Sequence, residues 1–217
     1  YTYKLGDKLS VLAGIRWDYS SLYKGFFTPR FHIKCMPIKW FTLRASAGKG
    51  YRSPHILAEN PSVLASNRTL IMGEPYQEEA WNMGGSLTFA PYVGSKKMNI
   101  NLDYYHTNFI HQLVMDMESA QTVMFYNLME TGKSYSHTLQ VDVSYPVWQF
   151  NLLAAFRWQD VKQTLGCEMQ KDGTLMGGVL KERPLTSRYK GLFTLSWKDN
   201  LELWQADLTL QLNGGGR

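Results

Sequence analysis

The chain has 217 residues, enough for one sizeable domain or a small two-domain protein, and carries 23 Lys and Arg against 18 Asp and Glu, a net charge of +5. The basic residues are scattered and accompany no nucleic-acid-binding signature, which argues against a nucleic-acid partner, and no stretch approaches the roughly 18–20 apolar residues of a transmembrane helix. Aromatic residues make up 14% (7 Trp, 13 Tyr, 10 Phe) although only 44% of residues are hydrophobic, a combination that suits strands with one apolar and one wet face.

Taken in chain order, the hydrophobic period is two. Leu9, Val11, Ala13, Ile15, Trp17 and Tyr19 alternate with Ser10, Gly14, Arg16, Asp18 and Ser20. Phe31, Ile33 and Cys35 alternate with Arg30, His32 and Lys34, and Phe41, Leu43, Ala45 and Ala47 with Thr42, Arg44, Ser46 and Gly48. The pattern returns at Trp81–Phe89, at Met98–Tyr105 and at Thr138–Tyr145, then over 150–159, 188–197 and 201–212. About nine strands follow, with no convincing helix. Short turns are expected at Met36-Pro37-Ile38-Lys39, Pro91–Lys97, Pro146-Val147 and Lys198-Asp199-Asn200. Longer links are expected at 52–78, about 110–121 and 166–187. Short turns on one rim and long links on the other predict an all-β, antiparallel up-and-down meander that forms part of a transmembrane β-barrel. A Greek-key sandwich would not sort its loops this way.

Ring spacing points the same way. Trp148 and Phe150 at one end of a strand face Phe156 and Trp158 at the other, and Tyr189 and Trp197 stand eight residues apart. At about 3.3 Å per residue and a tilt near 40°, eight residues rise roughly 20 Å, close to the apolar band between aromatic girdles. The alternative is an ordinary antiparallel sheet that favours aromatics. Cys35 and Cys167 form no CxxC or Cys/His cluster and read as incidental thiols, with a disulfide as the alternative. The start, Tyr1-Thr2-Tyr3-Lys4, carries no signal peptide, which leaves a cytosolic protein or an interior piece of a longer export product.

At "FTLRASAGKGYRSPHILAEN", beginning at Phe41, the chain resembles the "LRASYGxGFRAP" segment of TonB-dependent outer-membrane receptors. Further segments are similar in the family's order: "PYQEEAWNMGGSL" (75–87), "NLDYYHTNFIHQLV" (101–114), "YNLMETGKSYSHTLQVDVSYPV" (126–147) and "ERPLTSRYKGLFTLSW" (182–197). The fourth has Ser136 or His137 where glycine is common. Together they are spread between residues 41 and 197 of the chain. The resemblance implies a barrel of about 22 strands closed by an N-terminal plug. It implies an importer of a scarce nutrient (ferric siderophore, haem, cobalamin or glycan) in the outer membrane, with lipid around the barrel. The plug meets the energy-transducing TonB protein. Nothing here resembles a plug, and the chain ends at Gly214-Gly215-Gly216-Arg217 rather than on a terminal aromatic strand. Residues 1–217 are therefore expected to be an internal part of the C-terminal half of the barrel. A passive porin-like barrel and a soluble β-sheet binding module remain the alternatives; an upstream plug separates the first, and independence of detergent the second.

No catalytic constellation is expected. "GKGYRSP" lacks the order of a phosphate loop and no βα unit surrounds it. His32, His55, His106, His111 and His137 form no ligand set, since five residues in a strand place His106 and His111 on opposite faces. Carboxylates such as Glu78 with Glu79 and Asp116 with Glu118 lie where charges are normally solvated. The candidate ligand contacts are Tyr51, Arg52 and His55, at the start of the first long link. No metal site and no cofactor are expected. Tyr51-Arg52-Ser53-Pro54, His55 and Asn60-Pro61-Ser62-Val63 are similar to the boxes of some haem receptors. However, His55 abuts the first box and the second lacks its leucine, so a polar loop residue is the preferred reading. Met72, Met115, Met117, Met124 and Met129 lie in or beside the long links, where gap-filling packing is their commoner role.

Overall fold

The structure, a computed structural model, describes every residue except 74–75, 129–131, 171–173, 202 and 217. Met129 and parts of the links 52–78 and 166–187 therefore lie outside the described residues. In chain order the elements are β1 (Thr2–Leu5), β2 (Leu9–Ser20), β3 (Lys24–Ile38), β4 (Phe41–Arg52), α1 (Ile56–Glu59), α2 (Pro61–Leu64), β5 (Thr69–Met72) and β6 (Glu78–Phe89). They continue as β7 (Tyr92–Val93), β8 (Lys96–Lys97), β9 (Asn99–Asp116), β10 (Thr122–Leu128), β11 (Ser134–Val147) and β12 (Phe150–Met169). The last three are β13 (Leu175–Glu182), β14 (Tyr189–Lys198) and β15 (Gln205–Asn213). Among the described residues thirteen strands join one sheet, with the main path β1-β2-β3-β4-β6-β9-β11-β12-β14-β15, and every neighbour on that path is antiparallel. No described helix is long and apolar enough to cross a membrane.

All nine expected strands are present; among the described residues β1, β5, β10 and β13 join their sheet, and β7 and β8 form a separate two-stranded hairpin. Four expectations are corrected. Residues 110–116 belong to β9 rather than to a link, and the stretch 166–187 holds the end of β12 and all of β13. The link 52–78 contains two four-residue helices and β5. The turn placed at Met36–Lys39 begins later, because β3 runs to Ile38 with a register shift between Cys35 and Ile38. Both cysteines are free thiols: Cys35 pairs across the sheet with Leu9 and Leu43, and Cys167 is buried far along β12.

The register converts the period of two into two continuous faces. Leu9, Cys35, Leu43, Leu87, Leu102, Val141 and Phe156 stand side by side in one row across seven strands. The neighbouring row on the other face reads Ser10, Lys34, Arg44, Ser86, Asp103, Gln140, Arg157, Lys190 and Asn213. On the apolar face, Phe150 pairs with Trp197 at one end and Trp158 with Tyr189 at the other. The eight-residue spacing thus belongs to two aromatic rows that bound the apolar belt. Large side chains on this face are left open, Trp17 at 61% and Phe156 at 49% exposure, as expected of a face that meets lipid rather than a second layer. On the polar face, the ring of Tyr105 lies over its cross-strand partner Gly84, where a Cβ would meet the ring at 2.2 Å.

The dry core lies beyond the belt. Past the end of β6, β9 continues and pairs with β10, which pairs in turn with β5. Together with the β12–β13 hairpin these strands form a crown. One face of β10 packs Tyr126 and Leu128 with Val114, Leu165 and Cys167; the other packs Val123 and Phe125 with Val63. Each large apolar side chain buried this way contributes about 1.5–3 kcal/mol. The wall is therefore held by its hydrogen-bond ladder and its surroundings, and the crown by its own core.

Leu102→Arg in the complete barrel is expected to cost about 2–4 kcal/mol near mid-membrane. Asn101→Arg is expected to cost far less, since Asn101 faces Asp142, 2.8 Å from its amide. Unfolding free energies in lipid check this; equal costs at the two positions would contradict the assignment of faces.

Candidate functional site

The three candidate residues occupy the end of β4 and the start of α1, and they point to different places. By register Tyr51 pairs with Glu79 and Arg52 with Glu78, so they take opposite faces. Arg52 is on the polar face. Its Nε lies 2.5 Å from Glu78 Oε2 and its Nη1 3.1 Å from Glu59 Oε2, linking β4, β6 and α1. Glu78 is buried, and its second oxygen accepts the backbone N–H of Leu113 at 3.1 Å. A buried carboxylate needs this many partners to stay charged at modest cost. His55 enters through its backbone: its N–H donates to Glu59 Oε1 at 3.0 Å, and its side chain is exposed. Tyr51 packs against Phe26, the ring centroids 4.6 Å apart and the planes tilted by 42°, and lies under Lys49, whose Nζ is 2.6 Å from Glu79. The pairs Glu78/Glu79 and Asp116/Glu118, expected to be solvated, are instead bound into this crown.

His111 comes within 4.0 Å of Glu79. A register shift at Glu79/Ala80 interrupts the alternation of β9 against β6, so counting in twos does not carry through from His106 to His111. His106 itself stacks on His137 at 4.4 Å, on the same face as Met83. Among the described residues no three or more His, Cys, Asp or Glu side chains converge as metal ligands.

A cavity of about 510 Å³ opens at the crown on the polar face. Arg52, Glu78, Phe109, Gln112, Gln163 and Arg183 contribute to its lining. Its cation and acid from β4 and β6 neutralise each other, while Arg183 makes no ion pair among the described residues. Gln112 Oε1 is buried there without a hydrogen-bond partner. An acceptor in that state costs free energy until a donor reaches it. Gln112, Gln163 and Arg183 carry no local motif; only the strand register brings them beside Arg52.

A second polar cluster holds the crown together. Asp116, 5% exposed, accepts the N–H of Gly166 at 2.6 Å and that of Glu118 at 2.9 Å. The Tyr126 hydroxyl lies 3.1 Å from Asp116 Oδ2 and 3.0 Å from the Thr164 carbonyl, so one proton serves two acceptors. Burial pushes the Tyr126 phenol well above its usual range, and neighbouring Cys167 and Asp116 add to the effect. Gly166 has φ of +75°, which aims its N–H at the carboxylate without Cβ strain. Asp116 thereby clamps the β9–β10 hairpin to the β12–β13 hairpin.

A two-faced antiparallel wall, aromatic rows about 20 Å apart and a crown over the polar face define a segment of a membrane β-barrel. The chain matches the family described as TonB dependent receptor-like, beta-barrel, over residues 1–217, and belongs to it. Similar solved structures include a mutant of the ferric enterobactin receptor PfeA of Pseudomonas aeruginosa, with TM-score 0.64 and 13% identity over 98% of this chain and 31% of that one. The siderophore receptor PirA of Acinetobacter baumannii gives TM-score 0.66 and 12% identity over 97% of this chain and 32% of that one. The FrpB iron transporter of Neisseria meningitidis gives 0.59 and 13% over 92% and 29%. The chain thus spans about a third of the length of these structures. No curated protein sequence matches it.

Asp116→Ala removes the acceptor of three donors and is expected to cost the crown about 2–4 kcal/mol. Amide exchange in the full-length protein should rise at residues 114–118 and 164–168 and stay unchanged in β2–β4. Unchanged exchange at Gly166 would contradict the clamp.

Proposed function

We propose that the chain is the partial barrel wall of an outer-membrane receptor that takes up a scarce nutrient with energy from the TonB complex. Residues 1–217 supply part of the wall, and the plug and remaining strands are supplied by sequence outside them. The cavity at the crown is the single observation that carries this reading. It sits above a polar lumen wall, and it presents both an unpartnered acceptor, Gln112, and a cation without a carboxylate, Arg183. Such groups suit reversible capture of a polar ligand. No bond is made or broken in this proposal. The ligand class is a ferric siderophore, haem, cobalamin or glycan, and the iron- and siderophore-related names of the similar structures favour the first.

In this reading Arg52 is a positioning residue that also lines the cavity. Tyr51 and His55 are proposed as rim contacts met before the ligand enters. Lipid surrounds the apolar belt.

The test uses the full-length receptor in cells, with radiolabelled ferric siderophores, haemin and cobalamin as probes. One probe should accumulate, and collapse of the inner-membrane proton gradient should abolish accumulation but spare surface binding. Gln112→Ala with Arg183→Ala should weaken binding of that probe by about tenfold, or ~1.4 kcal/mol. Gradient-independent accumulation would show a passive channel instead. Unchanged binding in the double variant would remove the cavity from the path.

A further inference from the structure

The short-turn rim carries its charge unevenly. The β1–β2 turn sets Asp7 beside Lys8, and Lys198 at the end of β14 is followed by Asp199. The turns between them are different. Residues 39–40 join β3 to β4, residues 90–98 join β6 to β9, and residues 148–149 join β11 to β12. Together these hold Lys39, Lys96 and Lys97, and neither Asp nor Glu. The strand order sets the three turns side by side. All three lysines are exposed, and none forms an ion pair among the described residues.

The middle turn folds into a hairpin of its own, β7 against β8, in which Tyr92 pairs with Lys97 and Val93 with Lys96. The hairpin is tied to the lipid-facing side of the wall, because the Tyr145 hydroxyl donates to the Val93 carbonyl at 3.1 Å. Tyr145 belongs to the apolar row with Leu152, Leu195 and Leu208, one outward position from the aromatic pair Phe150–Trp197. Lys96 and Lys97 are thus held at the outer edge of the apolar belt, with Tyr92 beside them 75% exposed. On the neighbouring turn Lys39 precedes Trp40, whose ring meets Phe89 of the apolar face edge-on at 5.1 Å. On the other side Trp148 is 90% exposed at a φ of +53°, a conformation that a non-glycine residue adopts at a cost. Open water offsets none of that cost, whereas a membrane–water boundary, where Trp and Tyr rings are favoured, does.

We propose that this rim is a docking surface for an anionic phospholipid headgroup in the leaflet on the short-turn side, gripped by Lys96, Lys97 and Lys39. The inference rests on the receptor reading above only in taking the apolar face to meet lipid, and it adds a lipid selectivity that the reading does not contain. The occupant must bring negative charge to three unpaired ammonium groups and an apolar tail to the belt beside them. A soluble anion supplies the first alone. A zwitterionic headgroup offsets its phosphate with its own ammonium. An anionic phospholipid supplies both, and each basic residue near such a membrane surface adds to the attraction. The bond from Tyr145 keeps the two hairpin lysines at that boundary.

The test uses the full-length receptor in detergent, with phosphatidylglycerol and phosphatidylethanolamine of the same acyl chains as probes and native mass spectrometry to count bound lipids. Phosphatidylglycerol should bind about tenfold more tightly. Lys96→Gln with Lys97→Gln should remove most of that preference and leave phosphatidylethanolamine binding unchanged, and Lys39→Gln should remove less. Tyr145→Phe keeps every lysine but frees the hairpin, and should lose part of the same preference. Lys24→Gln, at the opposite end of β3, should change nothing. Glycerol phosphate should not displace the lipid. Heat-modifiable mobility of each variant verifies that the barrel is folded. Equal binding of the two lipids, or an undiminished preference in the lysine variants, would overturn the proposal. Displacement by glycerol phosphate would assign the site to a soluble anion and overturn it as well. None of these results touches the receptor reading, which stands on gradient-dependent uptake. A receptor that keeps the lipid preference but accumulates no probe would overturn that reading and leave this proposal standing.

Discussion

A hydrogen-bond ladder that runs from β2 to β15 is the constraint on which everything else depends. In hydrocarbon there is no water to satisfy a backbone amide, so a spanning strand must be paired along its length. Once adjacent strands are paired in register, each side chain is committed to one of two faces, and a slip of one residue would exchange them. The row from Leu9 to Phe156 and the row from Ser10 to Asn213 are the result. The apolar belt, the charged lumen and the position of the crown all follow from that single geometric commitment.

The crown obeys different physics. It carries its own dry core, in which both faces of β10 are buried, and a carboxylate, Asp116, whose acceptor capacity is used by three donors. A rigid wall and a clamped crown leave two distinct kinds of unmet demand. Near the mouth it is a hydrogen-bond acceptor, Gln112, beside Arg183. At the short-turn rim it is the positive charge of Lys39, Lys96 and Lys97, which no acid in the same turns offsets.

The wall was legible in the sequence because lipid and water impose opposite demands on alternate residues, and every one of the nine long strands carries the alternation. The crown was not, for the same reason. In 110–128 apolar side chains are buried on both faces, as with Val114 beside Met115 and Val123 through Tyr126, so no period of two marks the strands there. β5 and the two short helices sit in a link whose sequence is stabilised by contacts with β10 rather than by its own pattern. Of the site, the place of Arg52 beside the cavity was within reach of sequence reasoning. Its partners Glu78 and Glu59, and the convergence of Gln112, Gln163 and Arg183, depend on register and on a bulge in β9 that no local signal announces. Lys39, Lys96 and Lys97 were visible only as scattered basic residues until pairing set their turns side by side.

The claim that the ladder sorts residues between lipid and lumen is tested most directly by spin-label accessibility along β9. Labels would be placed singly at positions 100 to 104 of the full-length receptor in a lipid bilayer. Collisions with oxygen, which concentrates in lipid, should peak at 100, 102 and 104, and collisions with a water-soluble nickel chelate at 101 and 103. Uniform accessibility, or a period other than two, would contradict it.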